Sequence, residues 1–318
     1  MRTELESRRV RVSAIREAAI DILAFDLAPL DGRPLPAFPP GAHVDVHTPS
    51  GLVRQYSLCG DPAAAAGTWR IAVKKESQGR GGSLSMHEAV RAGTMLGVTG
   101  PRNHFPLAAD ASEHLLIAGG VGITPMHAMA QALAARGAAW KLHYCARSRE
   151  HAAFLDELTL LGGSRVVPHF GLSPTLDVTG LLRARAVGTH VYCCGPQGLM
   201  KAVEAAASHW NPAHVHFEWF VAAETDGSRN VPFEVELARR RMTLAVPEDK
   251  SILRVLCEHG VHVESACEQG ICGTCETAVL QGDVEHRDKL LSREERAANR
   301  SMMVCVSRAK SPKIVLDL

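Results

Sequence analysis

The sequence predicts a multidomain chain of three unlike parts: an antiparallel β-barrel, an α/β part built on a parallel sheet, and a small α+β part. Three observations predict this division. Apolar residues alternate with a period of two up to about residue 108, apolar strands alternate with helices from 109 to 225, and short strands surround a cysteine-rich loop near the end. The expected parts are 1–108, 109–225, a linker at 226–232, and 233–318.

The first part carries short alternating stretches between turn signals, as antiparallel strands do. Two runs rich in proline or glycine, PLPAFPPGAH and GDPAAAAG, are predicted loops. We expect the strands to close into a barrel. The alternating positions are Val10 and Val12; Leu23, Phe25 and Leu27; Val44 and Val46; and Trp69, Ile71 and Val73.

The middle part alternates strands and helices, which implies a parallel sheet with helices on both faces. Ligands of such sheets lie at the carboxyl ends of the strands. The predicted strands are HLLIAGG, WKLHYC, RVVPHF and THVYCC, and the predicted helices run through Met126, Met129, Ala130 and Leu133, through EHAAFLDELTLL, and after Pro196.

The polar stretch AAETDGSRNVP, from Ala222 to Pro232, has the composition of a linker. After it the sequence predicts a compact mixed α+β unit with strands FEVEL, MTLAVP, ETAVL and KIVLDL. A helix between the second and third of these strands carries apolar residues that we expect to be buried, namely Ile252, Leu253, Leu256 and Cys257.

Four cysteines in the last part carry the strongest chemical signal. Cys267, Cys272 and Cys275 have the spacing C-x4-C-x2-C, and Cys305 follows after 29 residues. This is the plant-type ferredoxin pattern for four thiolates around a [2Fe–2S] cluster. Gly270 and Gly273 suit such a loop because glycine adopts backbone angles that other residues avoid. A zinc site and disulfides are the alternatives, but structural zinc favours two C-x2-C pairs.

Composition excludes several other functions. The 318 residues are 46% hydrophobic and 22% charged, with a net charge of +1, so nothing favours binding to nucleic acid or an anionic membrane. The N-terminus has no apolar signal region, and no run of eighteen apolar residues occurs. Nine cysteines, four of them assigned to a cluster, argue for a reducing compartment. We therefore expect a cytoplasmic protein.

Three turns at carboxyl ends of predicted strands can face one ligand. GGVGITP, from Gly119 to Pro125, lets a strand-to-helix turn pass close to a pyrophosphate, although it lacks the third glycine of G-x-G-x-x-G. The other two turns contain Cys194, Gly195 and Pro196, and Tyr144 to Arg147. In the first part, RQYSL and GRGGS supply an arginine and a glycine-rich turn that can bind a phosphate, and a tyrosine that can stack on a flat ring.

Taken in order, RQYSL, GRGGS, GGVGITP, CGP and the C-terminal cysteine pattern resemble the phthalate dioxygenase reductase family over nearly the whole chain. The stretch PRNHFPL is similar to the vanillate O-demethylase reductases of that family. The resemblance implies an FMN-binding barrel, an NADH-binding domain of the ferredoxin-reductase type and a β-grasp ferredoxin domain. It also suggests a monomer.

The resemblance also implies roles for individual residues. Arg54 and Ser83, with Gly81 and Gly82, would hold the FMN phosphate. Gln55, Tyr56 and Ser57 would lie at the flavin, Ser57 near N5. Gly120, Gly122, Thr124, Arg147, Cys194 and Gly195 would bind NADH, with Ser57, Thr124 and Cys194 as catalytic residues. Phe220 would close over the flavin, although the neighbouring Trp219 competes for that role.

These inferences predict an NADH-dependent oxidoreductase that passes electrons through FMN and the cluster to a separate Rieske-type oxygenase, one acting on an aromatic acid or a methoxylated aromatic. A flavin is needed because NADH delivers two electrons and the cluster accepts one. The alternatives are an FAD-containing reductase that feeds another monooxygenase, and a pure electron carrier with a degenerate flavin domain. NADPH remains a second coenzyme candidate, because Ser148 and Arg149 follow Arg147.

Cys257-Glu258-His259 has the C-x-H form of half a Rieske site, but the downstream C-x2 pair ends in cysteine instead of histidine. We therefore expect Cys257 to be buried in its helix and His259 to be a polar residue at the helix end.

Overall fold

The computed structural model describes residues 7–30, 32–63, 67–172, 175–183, 187–220 and 230–318. The chain divides into two units, Met1–Phe220 and Val221–Leu318. None of the helices in the described ranges is long and apolar enough to pass through a lipid bilayer.

Six antiparallel strands of the first unit close into a barrel in the order β1-β2-β5-β4-β3-β6. The alternating apolar residues predicted from the sequence fill its interior, since each of them except the partly buried Leu23 is at most 2% exposed. One short helix, α1, follows β5. The bounds are β1 Ser7–Ala19, β2 Ile22–Pro29, β3 Ala42–His47, β4 Val53–Cys59, β5 Trp69–Lys74, α1 Gly82–Ala89 and β6 Met95–Asn103.

The rest of the first unit is a five-stranded parallel sheet in the order β11-β10-β7-β8-β9. The strand order reverses between β7 and β10, which makes a crevice for ligands outside their carboxyl ends. The bounds are β7 Glu113–Gly119, α2 Ile123–Ala135, β8 Trp140–Ala146, α3 Leu155–Gly162, β9 Val166–Phe170, α4 Val178–Arg183, β10 Thr189–Cys194, α5 Gln197–Ala206 and β11 Val215–Glu218.

Barrel and sheet share a hydrophobic core. Cys59 and Phe105 from the barrel side belong to one buried cluster with Leu116, Ile123 and Tyr144 from the sheet and its first helix. Burial of apolar surface between them stabilises one relative arrangement of the two parts. The boundary predicted near residue 108 falls between β6 and β7, inside this unit, and stays a prediction.

The second unit is a mixed sheet in the order β13-β12-β18-β14-β16, in which only the β12–β18 pair is parallel. Helix α6 begins at Ser251, whose hydroxyl accepts the N–H of Arg254 at 3.2 Å. The bounds are β12 Phe233–Leu237, β13 Met242–Val246, α6 Ile252–Glu258, β14 Glu276–Gln281, β15 Val284–Glu285, α7 Arg293–Ala298, β16 Ser301–Met303, β17 Arg308–Ala309 and β18 Lys313–Leu316.

The prediction that Cys257 is buried is wrong. Ile252, Leu253, Val255 and Leu256 define the buried face of α6, whereas Cys257 is exposed. At 3.6 residues per turn it points about a third of a turn away from the centre of that face. His259 ends the helix, as expected, and is exposed.

Arg308 secures the start of the second unit. It is 4% exposed, and its guanidinium donates to three backbone carbonyl oxygens, those of Lys250 at 2.8 Å, Pro247 at 3.0 Å and Val231 at 3.1 Å. Asn230 adds a bond from its side-chain amide to the carbonyl oxygen of Glu248 at 2.6 Å. The predicted linker therefore ends in fixed chain, while its residues 226–229 lie outside the described ranges.

Candidate functional site

The turns that follow β7 and β10 touch each other at the point where the strand order reverses. A Cβ on Gly122 would lie 2.2 Å from the carbonyl oxygen of Cys194, so no larger residue fits there. The third predicted turn joins them, because the Tyr144 hydroxyl donates to the carbonyl oxygen of Gly120 at 3.3 Å. The three turns that the sequence places at one ligand are thus together.

Helix α2 begins in this crevice, where the positive end of its dipole favours an anion. Thr124 lies in that turn and is 2% exposed. Its hydroxyl donates to the carbonyl oxygen of Val121 at 3.1 Å and so supports the glycine turn.

Glu218, at the end of β11, connects the barrel to the crevice. The Ser57 hydroxyl donates to its Oε2 at 3.1 Å, and Cys194 is its direct neighbour on β10. Burial raises the pKa of Glu218 to about 8, against a smaller lowering by the Ser57 hydrogen bond. At neutral pH the carboxyl therefore holds a proton. Glu218 is not among the residues predicted from the sequence, where its only signal is an acidic residue near the end of the strand HFEWF.

His43 faces the same group from strand β3. It stands directly opposite Ser57, and its Nδ1 is 4.0 Å from Oε1 of Glu218. Burial, with further contributions from Arg102 and His104, lowers the pKa of His43 to about 3, so the imidazole is neutral. Its Nε2 is buried and has no hydrogen-bond partner within the described residues. A buried polar atom of this kind fits a site completed by a bound ligand.

A second group of predicted site residues lies at the start of α1. Arg54 and Tyr56 share one face of β4, because side chains alternate along a strand. A Cβ on Gly82 would meet Cγ and Nε of Arg54 at 2.8 Å, so the arginine lies against the first turn of the helix. That turn begins at Gly81 without a capping side chain. Ser83 accepts the N–H of Glu76 at 3.1 Å, which leaves its hydroxyl proton for another acceptor.

Two of the predicted cofactor residues have other surroundings. The side-chain amide of Gln55 donates to Oδ1 of Asp45 at 3.0 Å, on the opposite face of β4 from Arg54. Arg147 is exposed immediately after β8.

The residues that follow Arg147 form their own pairs. The Ser148 hydroxyl donates to Oε2 of Glu150, and this hydrogen bond is the main reason that the pKa of Glu150 is lowered. Arg149 is paired with Asp156. This turn therefore presents a carboxylate beside the serine.

The two aromatic rings at the end of the first unit lie on different faces of the sheet. Phe220 packs against the cluster that contains Cys59 and Cys194, whereas Trp219 packs on the opposite face and its ring centre lies 6.0 Å from that of Phe217. This arrangement favours Phe220 over Trp219 as the ring beside the crevice.

In the second unit the four predicted cysteines are all buried. The backbone N–H of Gln269 donates to Sγ of Cys267 at 3.2 Å. Gly270 and Gly273 have φ angles of 66° and 75°, which agrees with the glycine loop expected from the sequence. At Gly270 a Cβ would lie 2.5 Å from the Val306 side chain, so the loop needs glycine there.

The thiols are grouped in two hydrogen-bonded pairs. A hydrogen bond from Cys267 lowers the pKa of Cys272, and a hydrogen bond from Cys305 lowers the pKa of Cys275. Within the described residues no three such side chains surround a single metal ion. Two pairs fit a two-iron cluster, in which each iron takes two protein ligands.

Comparison with known proteins gives the same assignment. A family model described as a 2Fe-2S iron-sulfur cluster binding domain matches residues 235–310. The phthalate dioxygenase reductase of Burkholderia cepacia is 42% identical over 98% of this chain and 97% of its own. The chain belongs to the phthalate dioxygenase reductase family. A solved structure of a phthalate dioxygenase reductase, described as modular for electron transfer from pyridine nucleotides to [2Fe-2S], has a TM-score of 0.73 and 42% identity, covering 99% of this chain and 98% of that one.

Two further relatives show how widely this architecture is used. The reductase subunit of a tert-butanol monooxygenase / tert-amyl alcohol desaturase from Aquincola tertiaricarbonis is 44% identical over 97% of this chain and 95% of its own. An intact type IV self-sufficient cytochrome P450 monooxygenase has a TM-score of 0.90 and 41% identity over 98% of this chain. This chain spans only 41% of that larger protein.

Family membership confirms the predicted fold class and the prediction of an oxidoreductase with an iron-sulfur domain. The electron-transfer reductase is the function that fits, and the FAD-containing and degenerate-carrier alternatives are not favoured. The predicted cofactor set agrees with the family.

Proposed function

We propose that this member of the phthalate dioxygenase reductase family passes electrons from NADH through FMN and its [2Fe–2S] cluster to a separate Rieske-type oxygenase that acts on an aromatic acid or a methoxylated aromatic. The observation that carries the proposal is the contact of Ser57 with Glu218 beside Cys194. This contact joins strand β4 of the proposed flavin-binding barrel to the nucleotide crevice. The same chain also carries four grouped thiols.

The phosphate end of FMN fits the group of residues at the start of α1. Arg54 can pair with the phosphate, while the N–H groups near Gly81 and Gly82 and the hydroxyl proton of Ser83 can donate to it. A helix N-terminus without its own cap favours a terminal phosphate, as in FMN. When bound, FMN accepts a hydride and releases electrons singly.

The ring end of the flavin is assigned to Tyr56, Ser57 and Phe220. Glu218 is protonated at neutral pH and can exchange that proton through the Ser57 hydroxyl. His43 stays neutral, with its Nδ1 4.0 Å from Oε1 of Glu218 and its buried Nε2 available to a bound ligand. These side chains can therefore hold a proton beside the flavin while Phe220 limits access of water.

The nicotinamide and the pyrophosphate are assigned to the crevice lined by Gly120, Gly122, Thr124, Cys194 and Gly195. Glu150 supports NADH over NADPH, because its carboxylate can accept a hydrogen bond from a ribose 2′-hydroxyl and would repel a 2′-phosphate. Arg149 is paired with Asp156, and Arg147 is exposed immediately after β8.

The cluster is assigned to Cys267, Cys272, Cys275 and Cys305, two thiolates for each iron. Their burial limits water at the sulfurs, and backbone N–H groups such as that of Gln269 tune the reduction potential. The proposed limits of the three parts are 1–108, 109–225 and 233–318.

The partner assignment extends what the relatives' names say. They describe reductases of a phthalate dioxygenase and of a tert-butanol monooxygenase, which supports a separate oxygenase as electron acceptor. The Rieske type, the aromatic substrate class and a monomeric state are our inferences from the family resemblance.

Three measurements on the purified chain test the proposal. The released flavin should be FMN by mass, anaerobic NADH should bleach the flavin and produce the electron paramagnetic resonance signal of a reduced [2Fe–2S] cluster, and the Rieske oxygenase encoded beside the gene should form product at the expense of NADH. Arg54→Gln should lower FMN occupancy at least about tenfold, as loss of a charged phosphate contact implies, while Arg11→Gln on the exposed face of β1 should not. Released FAD, or a flavin that NADH does not bleach, would overturn the proposal.

A further inference from the structure

His127 connects the helix of the nucleotide crevice to the barrel. It lies in α2, is 1% exposed, and its Nδ1 accepts the backbone N–H of Gly60 at 2.9 Å. Gly60 is the residue that follows β4, the strand that carries Ser57. This bond therefore ties the end of a barrel strand to the helix that begins in the crevice.

The bond also fixes the tautomer of His127. A backbone N–H can only donate, so Nδ1 must carry the lone pair and Nε2 the proton. Nε2 then donates to Oε2 of Glu157 at 3.2 Å, and this hydrogen bond is the main reason that the pKa of Glu157 is lowered. Glu157 lies 3.7 Å from Arg70 of strand β5. The imidazole is thus held on one side by Gly60, directly after β4, and on the other by Glu157 of α3, which in turn pairs with Arg70 of β5.

The hydrogen bond between Gly60 and His127 lies close in sequence to Ser57 and Thr124, the residues assigned to the flavin and the nicotinamide. Ser57 lies three residues before Gly60, and Thr124 lies three residues before His127. Along a helix three residues span about 4.5 Å, and along a strand about 10 Å. Ser57 and Thr124 are therefore each only three residues of regular backbone away from the hydrogen bond between Gly60 and His127.

We propose that His127 is a positioning residue for hydride transfer, which holds the barrel strand bearing Ser57 at a fixed distance from the helix bearing Thr124. The inference rests on the proposed function, in which these residues flank the flavin and the nicotinamide. Hydride transfer needs reacting atoms about 3–3.5 Å apart, and a misplacement of about 1 Å can cost 100-fold in rate. A purely structural histidine would affect stability without changing this rate.

The test compares His127→Leu with His127→Asn in the full-length holoenzyme. Leucine fills the site but removes both hydrogen bonds, whereas the asparagine oxygen can still accept from Gly60. We expect anaerobic stopped-flow reduction of the flavin by NADH to slow at least about tenfold in His127→Leu and to return to within about threefold of wild type in His127→Asn. The long-wavelength absorbance of the stacked nicotinamide–flavin pair should fall and recover in parallel.

The matched control is His190→Leu. His190 is also buried, and its Nδ1 lies 3.0 Å from Nε2 of His216, but it sits at the amino end of β10, away from the crevice. It should reduce stability and leave the hydride-transfer rate unchanged. A wild-type rate in His127→Leu, or equal slowing in His127→Asn and His127→Leu, would overturn the proposal.

If His127→Leu does not fold, the half-exposed Glu157 allows the same test. Glu157→Ala should slow the flavin reduction about threefold by releasing the ring, and a wild-type rate would overturn the proposal. A wild-type enzyme whose flavin NADH does not reduce would contradict the proposed function instead, so the two failures are distinct.

Discussion

Replacing Glu218 with glutamine measures how much the burial of this carboxyl costs in unfolding free energy. The pKa of Glu218 is about 8 in the folded protein, raised by burial from the ordinary value of 4.5. As pH rises, the unfolded chain therefore releases this proton first. The stability that the neutral carboxyl contributes is complete below about pH 4.5 and is lost as pH rises to about 8.

The magnitude follows from the two pKa values. Each pKa unit corresponds to about 1.4 kcal/mol, so complete ionisation costs about 5 kcal/mol of unfolding free energy. Only 14% of the side chain is exposed, so solvent screening removes little of this cost. Glutamine stays neutral and can still accept from Ser57. Glu218→Gln should therefore be more stable than wild type by about 1 kcal/mol near pH 5 and by about 4 kcal/mol near pH 8.

Urea unfolding followed by circular dichroism at both pH values measures this difference. Ser57→Ala serves as a control, because losing its hydrogen bond should raise the pKa of Glu218 further and move the fall in stability to higher pH. An equal pH dependence in Glu218→Gln and wild type would refute burial of a neutral carboxyl as its cause.

Three further changes have defined outcomes. Gly122→Ala should weaken NADH binding at least about tenfold, because its Cβ would meet the Cys194 carbonyl, while FMN content stays normal; equal affinity by titration would contradict the close approach. Cys272→Ser should abolish the reduced-cluster signal and electron delivery to the oxygenase but leave flavin reduction by NADH largely intact; continued delivery would exclude the cluster as the exit. Arg308→Met should lower the unfolding free energy of the second unit by about 3 kcal/mol, since it removes three hydrogen bonds that a buried guanidinium donates to backbone carbonyls, and a loss below about 1 kcal/mol by urea unfolding would contradict this role.

Sequence patterns predicted the parts of the site that depend on local spacing. The cysteine loop needs only the positions of Cys267, Cys272 and Cys275, and the turn at Gly122 needs only a strand that runs into a helix. Period-two alternation likewise identified the strands that form the barrel. These signals are local because each follows from the geometry of a single element or turn.

The residues that the sequence did not reveal act through distant pairings. Glu218 matters because β11 lies beside β10 and because β4 of the barrel faces both, a juxtaposition of residues 161 positions apart in sequence. His127 fits an apolar helix face and shows its role only when Gly60 is placed against it. The expectation for Cys257 was wrong for a local reason: Cys257 follows the buried Leu256 directly in sequence but lies about a third of a turn from the centre of the buried face of α6.

Because Arg308 holds Val231, the second unit is a self-contained electron-transfer domain that can be moved between proteins. Because the bonds of Asn230 and Arg308 lie wholly within residues 230–318, the chain can be joined at that point to a different upstream partner without loosening the fold around the thiols. A cut placed a few residues later, at Phe233, would instead discard two of these bonds. Residue 230 is therefore the point at which this domain can be separated from one electron donor and joined to another.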